Sequence, residues 1–196
     1  PSSDNGAVMK LLCFGDSNTY GYDPRGWLSD RYGPEDRWPE VLASLTGWEV
    51  INAGANGRQI PRTPYDLQLL RESGPADLFL VMLGTNDLLQ GDSASVAAKR
   101  MEHFLSALPC PVVLVTPPPM KRGAWVPEDA LAEESIRLAQ EYLALSQRLG
   151  IPCIDTRHWG IELAYDGVHL TEAGHRIFAE KLAAELHFLF TSHLST

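Results

Sequence analysis

The sequence predicts an α/β protein, an open three-layer sandwich with helices on both faces of a five-stranded parallel sheet. Three observations lead there. Short apolar runs alternate with longer amphipathic stretches from end to end, the pattern of strands joined by crossover helices. The chain has 196 residues, enough to bury a core without disulfides or a structural metal. No internal repeat or low-complexity run marks a domain boundary.

The first apolar run, Lys10-Leu11-Leu12-Cys13-Phe14, is a strand over 10–14, and further strands are predicted over 49–52, 77–83, 112–115 and 152–154. Helices are predicted over 36–46, 64–73, 93–107, 128–149 and 171–187. Gly47 and Gly150 suit the left-handed position past a helix C-terminus, and Thr171 suits an N-cap. Right-handed crossovers then cover both faces of the sheet and leave a ligand cleft beyond the carboxyl ends of the strands. Two connections are too long to be simple: 18–36, with Tyr20, Tyr22, Trp27 and Tyr32, and 116–127, with three consecutive prolines and Trp125. Their aromatic content fits a lid or pocket wall, and also packing over a helix face. Residues 1–8 are polar and read as a disordered leader or expression remnant before Met9, ahead of one domain over 9–190 and a tail over 191–196.

A formal net charge of −9 disfavours nucleic acid and anionic membrane surfaces, which select clustered Lys and Arg. Cys13, Cys110 and Cys153 are far apart, odd in number and outside zinc spacings, so they read as buried thiols in a reducing, cytoplasmic compartment. Nothing in the sequence calls for a metal or cofactor: it lacks His-Glu-x-x-His, paired cysteines, Gly-x-Gly-x-x-Gly and a phosphate loop. No apolar span is long enough for a membrane helix.

The chemistry concentrates at strand ends. A serine hydroxyl is a weak nucleophile until a base takes its proton and a third group orients that base. Ser17 in Gly15-Asp16-Ser17, with Asp166 and His169 in Asp166-Gly167-Val168-His169, supplies those three roles. Donors for a developing oxyanion are the backbone N–H of Ser17, the N–H of Gly54 and the side-chain amide of Asn86. Singly, each residue has a plainer use: Ser17 as an N-cap, Asn86 in a turn, His169 at a helix entry. Their conjunction beyond several strands predicts a serine hydrolase. Gly-x-Ser-x-Gly is missing, so the nucleophile elbow of the α/β-hydrolases is not the template.

These blocks resemble the SGNH hydrolases, also called the GDSL esterase and lipase family. Gly15-Asp16-Ser17-Asn18 looks like the first family block, with Asn18 where the namesake motif has Leu; Gly54 looks like the second, Gly84-Thr85-Asn86-Asp87 the third and Asp166-Gly167-Val168-His169 the fifth. The resemblance implies a flavodoxin-like sandwich of strand order 2-1-3-4-5, with Ser17 as nucleophile, His169 as base, Asp166 as its orienting carboxylate and Gly54 and Asn86 completing the oxyanion hole. Arg37-Trp38 and the third block look most like the small aryl esterase and acyltransferase branch, whose members act on short acyl esters and often form oligomers. A small ester is the expected partner, in a pocket formed by Asp16, Asn18, Trp27 and Trp125. Carbohydrate O-deacetylase, lysophospholipase and thioesterase activities remain open. So do a non-catalytic acyl- or sugar-binding module and association through the apolar stretch His187-Phe188-Leu189-Phe190.

Overall fold

The computed structural model describes residues 8–26, 30–72, 74–108 and 111–191. The leader but for Val8, most of the tail, Trp27 and Cys110 lie outside them. In chain order the elements are β1 (Lys10–Gly15), α1 (Ser17–Tyr20), α2 (Trp38–Thr46), β2 (Glu49–Gly54), α3 (Pro64–Glu72), β3 (Leu78–Met82), α4 (Thr85–Leu89), α5 (Ala94–Ser106), β4 (Val112–Val115), α6 (Asp129–Leu149), β5 (Cys153–Ile154) and α7 (Glu172–Thr191). The five strands form one sheet in the order β2-β1-β3-β4-β5, every pairing parallel.

Alternation along the strands sorts the core into two halves, since successive side chains point to opposite faces. Leu12, Phe14, Phe79, Val81 and Leu114 pack under α5 and α6, against Met101, Phe104, Leu138 and Tyr142. Leu11, Cys13, Leu80, Met82, Val113 and Val115 face the other way, onto Trp38 and Leu42 of α2 and Phe178 and Leu182 of α7. Both faces are covered, which is why the inner strands are continuously apolar.

Most predicted boundaries fall within two residues. Ser93, expected inside a helix, instead caps α5 by accepting from the Val96 N–H at 3.2 Å. Thr171 accepts from the Gly174 N–H at 3.0 Å, and Gly47 and Gly150 sit in the left-handed region. Helix α7 runs four residues past the predicted 187, so the apolar end of the chain is its last turn, with Leu189 and Phe190 packed on the core and Phe188 exposed. Cys13 is fully buried and Cys153 only partly so; burial pushes both thiols up, Cys153 to about 11. Among the described residues no helix is long and apolar enough to cross a membrane.

The strand order reverses between β1 and β3, the switch point where an open α/β sheet leaves a crevice. There Gly15, Gly54 and Met82 lie side by side at the carboxyl edge. Helix α1 rests directly on that edge because two side chains are missing beneath it. A Cβ on Gly15 would stand 2.0 Å from Thr19 Oγ1, and one on Gly54 would stand 2.2 Å from the Tyr20 backbone N. Gly54→Ala is therefore expected to force α1 off the sheet and cost about 1–3 kcal/mol in urea unfolding; an unchanged unfolding midpoint would contradict this close approach.

Candidate active site

Asp16 is the single residue between β1 and α1, and it is the N-cap of α1. Its side chain accepts the Asn18 N–H at 3.0 Å, capping the four-residue helix and turning Ser17 toward the crevice. On the other side of the crevice, Asp166-Gly167-Val168-His169 folds back on itself. Asp166 Oδ1 accepts the N–H groups of Val168 and His169, each at 2.9 Å, while Oδ2 takes His169 Nδ1 at 2.6 Å. Gly167 makes this possible with φ +81° and a backbone so close to Lys121 O that a Cβ would lie 2.1 Å away. The three-residue spacing thus lets one carboxylate hold both the backbone and the ring of His169.

Burial alone would raise the Asp166 carboxyl, but hydrogen bonds from the His169 ring and from the His169 and Val168 N–H groups outweigh it and hold it below the ordinary range. An ionised Asp166 accepts at Nδ1, so the imidazole proton resides there and Nε2 is left as an acceptor. Nε2 stands 3.0 Å from Ser17 Oγ, a separation at which it can take the hydroxyl proton.

Ser17 and His169 open into a cleft of about 260 Å³ lined also by Tyr22, Asn56, Gly57, Asn86 and Trp125. Tyr22 and Trp125 flank the imidazole, their ring centroids 4.6 and 4.9 Å from it. Asn86 lies in α4, whose N-cap Gly84 has φ +129° and leaves room for Tyr142. One amide proton of Asn86 goes to Arg58 O at 3.1 Å, which orients the group and leaves the second available. Asp87, fully buried beside it, accepts from the Ile60 N–H at 3.0 Å and from Arg100, so the loop after β2 is tied to the α4 turn.

Several expectations need correction here. Gly54 does not line the cleft: β2 runs two residues beyond the predicted 52, and the Gly54 N–H closes on Asn52 Oδ1 at 3.0 Å. The glycine at the cleft is Gly57, in the left-handed region at φ +75°. Asp16 and Asn18 do not line the cleft either; the N-cap of α1 and a residue within it, they face the interior, 3% and 6% exposed, and the Asn18 amide bonds to the Val168 carbonyl and the Leu170 N–H. Trp125 does line it, and Trp27 falls outside the described residues. Tyr22, one of the aromatics of the long first connection that fitted a pocket wall, lines it too, whereas Asn56 and Gly57 were not expected there. The signal for Gly57 was its place as the second glycine of Asn52-Ala53-Gly54-Ala55-Asn56-Gly57, beyond the strand proper. His175 on α7 is wholly buried with Nδ1 accepting the Trp38 N–H, and burial pushes it down to about 3. Among the described residues no cluster of His, Cys, Asp or Glu could hold a metal ion.

Burial pushes the Asp16 carboxyl up to about 6, against the downward pull of the Asn18 N–H, His169 and Arg58. The ordinary value is 3.8, so the folded chain takes up a proton between these values that the unfolded chain does not. Stability contributed by Asp16 is therefore complete below about pH 4 and lost as pH rises through about 6. Asp16→Asn is neutral throughout. Its stability relative to wild type in urea unfolding is expected to be greater at pH 7 than at about pH 4, and an equal difference at both would contradict the shift.

The profile of the GDSL-like lipase/acylhydrolase family matches residues 13–177, from β1 past His169. Among solved structures, the native aryl esterase of M. smegmatis superposes with a TM-score of 0.76 at 28% identity, covering 93% of this chain and 100% of that one. A carbohydrate acetylesterase family member from Sinorhizobium meliloti gives a TM-score of 0.77, also at 28% identity, covering 93% and 99%. No curated protein matches the chain significantly. With the family profile spanning most of its length, the chain belongs to the GDSL-like lipase/acylhydrolase family, the SGNH hydrolases, and is a carboxylic ester hydrolase.

Proposed function

We propose that this esterase cleaves short acyl groups from small esters through an acyl-enzyme on Ser17, with His169 as general base and Asp166 as its orienting carboxylate. The observation that carries the reading is the continuous hydrogen-bonded line from Ser17 Oγ through both imidazole nitrogens to Asp166, with spacings of 3.0 and 2.6 Å. In this mechanism Nε2 takes the Ser17 proton as Oγ attacks the ester carbonyl. Negative charge then develops on the carbonyl oxygen beside the N–H groups of Ser17 and Gly57 and the free amide proton of Asn86, donors that need no reorganisation when the charge appears. The imidazolium returns its proton to the departing alcohol, and water or a second alcohol releases the acyl group from Ser17.

The leaving oxygen must meet Nε2, so the alcohol lies against an imidazole flanked by Tyr22 and Trp125. Aromatic walls and a cleft of about 260 Å³ favour a small acyl group on a flat or apolar alcohol, in line with the aryl esterase likeness. A second reading, removal of acetyl groups from a carbohydrate, draws on an adjoining cavity of about 380 Å³. It shares Asn56 and Gly57 with the cleft and adds Gln59, Arg62, Thr63 and Asp66, polar groups suited to a hydroxylated alcohol.

The test is hydrolysis of p-nitrophenyl acetate, butyrate and octanoate by wild type and Ser17→Ala, both confirmed folded by circular dichroism. Turnover that falls with chain length and vanishes in the variant is expected. A folded wild type inactive on every ester, or an active Ser17→Ala, would contradict the reading. An acetylated sugar cleaved with a higher kcat/KM than phenyl acetate would select the carbohydrate reading. Asn86→Ala is expected to lose about 3 kcal/mol of transition-state stabilisation, roughly a hundredfold in kcat; a loss below about threefold would remove Asn86 from the oxyanion role.

A further inference from the structure

We propose that Asn18, buried behind the nucleophile, is a positioning residue that sets the Ser17–His169 geometry. The inference rests on the acyl-enzyme reading above. Nucleophile and base come from segments 152 residues apart in the chain, and Ser17–His169 is only one hydrogen bond between them. Among the described residues, the other two hydrogen bonds joining residues 16–20 to 164–171 both come from the Asn18 side chain. Its Nδ2 donates to Val168 O at 3.1 Å and its Oδ1 accepts the Leu170 N–H at 3.1 Å.

Those partners sit on either side of His169, so the amide of Asn18 pairs with the chain as a neighbouring strand would and fixes the base at both backbone neighbours. Donor and acceptor are each matched, which assigns the orientation of the amide without ambiguity. The backbone of Asn18 is fixed in turn: its N–H goes to Asp16 Oδ1 at 3.0 Å, and its carbonyl accepts the fully buried Trp38 indole at 2.8 Å. Asn18 therefore passes the position of α2 to α1, and that of α1 to the base. The Leu of the namesake motif could fill the volume but could make neither bond to the His169 segment.

The experiment compares wild type with Asn18→Leu and Asn18→Asp, all checked by circular dichroism and by the downfield His169 Nδ1–H proton resonance that reports the bond to Asp166. Both variants are expected to keep that resonance and a KM for p-nitrophenyl acetate close to wild type. Their kcat should fall about tenfold to a hundredfold, because misplacement harms proton transfer more than binding. The rate at which a phosphonate ester inactivates Ser17 should fall by the same factor, since it needs the same base. Asn18→Asp is isosteric and guards against loss of folding in Asn18→Leu. It keeps the acceptor for Leu170 but sets an oxygen against the Val168 carbonyl.

A folded variant with kcat within about twofold of wild type, or one whose loss lies wholly in KM, would overturn the proposal while leaving the acyl-enzyme reading intact. An inactive wild type would instead overturn that reading, and this inference with it.

Discussion

Everything at this site depends on how close α1 lies to the carboxyl edge of the sheet. The helix is only four residues long, too short to hold itself together in water, so its position comes from what surrounds it. Gly15 and Gly54 leave no side chain between helix and sheet, Asp16 caps it, and the Trp38 indole holds its backbone from α2. Ser17 is consequently presented at the switch point of the sheet by close backbone approach at the two glycines and by buried side chains that bond to the backbone of α1. These contacts place the hydroxyl before any ligand arrives.

His169 is held by the same economy of means. One carboxylate, Asp166, satisfies two N–H groups and the imidazole, and Gly167 permits the turn. The proline-rich connection before α6 then runs alongside this turn. Lys121, Ala124 and Trp125 donate their N–H groups to Gly167, Tyr165 and Asp166 carbonyls at 2.9, 3.0 and 3.0 Å. This connection is thus a wall stitched to the turn that precedes His169, carrying Trp125 to the imidazole. The other long connection folds back through a bridge between Tyr22 and Arg31, and its Tyr22 ring also packs on the imidazole, at 4.6 Å. Aromatic residues in both connections fitted either a pocket wall or packing over a helix face, and each connection supplies one wall residue, Tyr22 and Trp125.

The sheet, the longer helices and the cleft residues Ser17, Asn86, Trp125 and His169 were legible in the sequence because each leaves a local trace: short continuous apolar runs, capping residues, aromatics in long connections, and short motifs just beyond strands. Helices α1 and α4 were not, since four and five residues carry no periodicity. Gly54 was placed at the cleft, where Gly57 stands, because the strand end was set at 52, and two further residues of pairing carry Gly54 inside the ladder. Asp16 and Asn18 illustrate a different limit. Adjacency to Ser17 in sequence suggested a shared pocket, but a helical turn sends neighbouring side chains in different directions, and these two face the interior. What Asn18 does there depends on partners about 150 residues away, which no local pattern reveals.

The central claim is that Ser17 carries the acyl group between two half-reactions. Quenching the enzyme in acid during steady turnover of p-nitrophenyl acetate, then locating the adduct by peptide mass spectrometry, tests it most directly. The account predicts a single acetyl group on the peptide containing Ser17, lost on further incubation with water. Sustained turnover with no adduct on Ser17, or with the acetyl group on another residue, would contradict it.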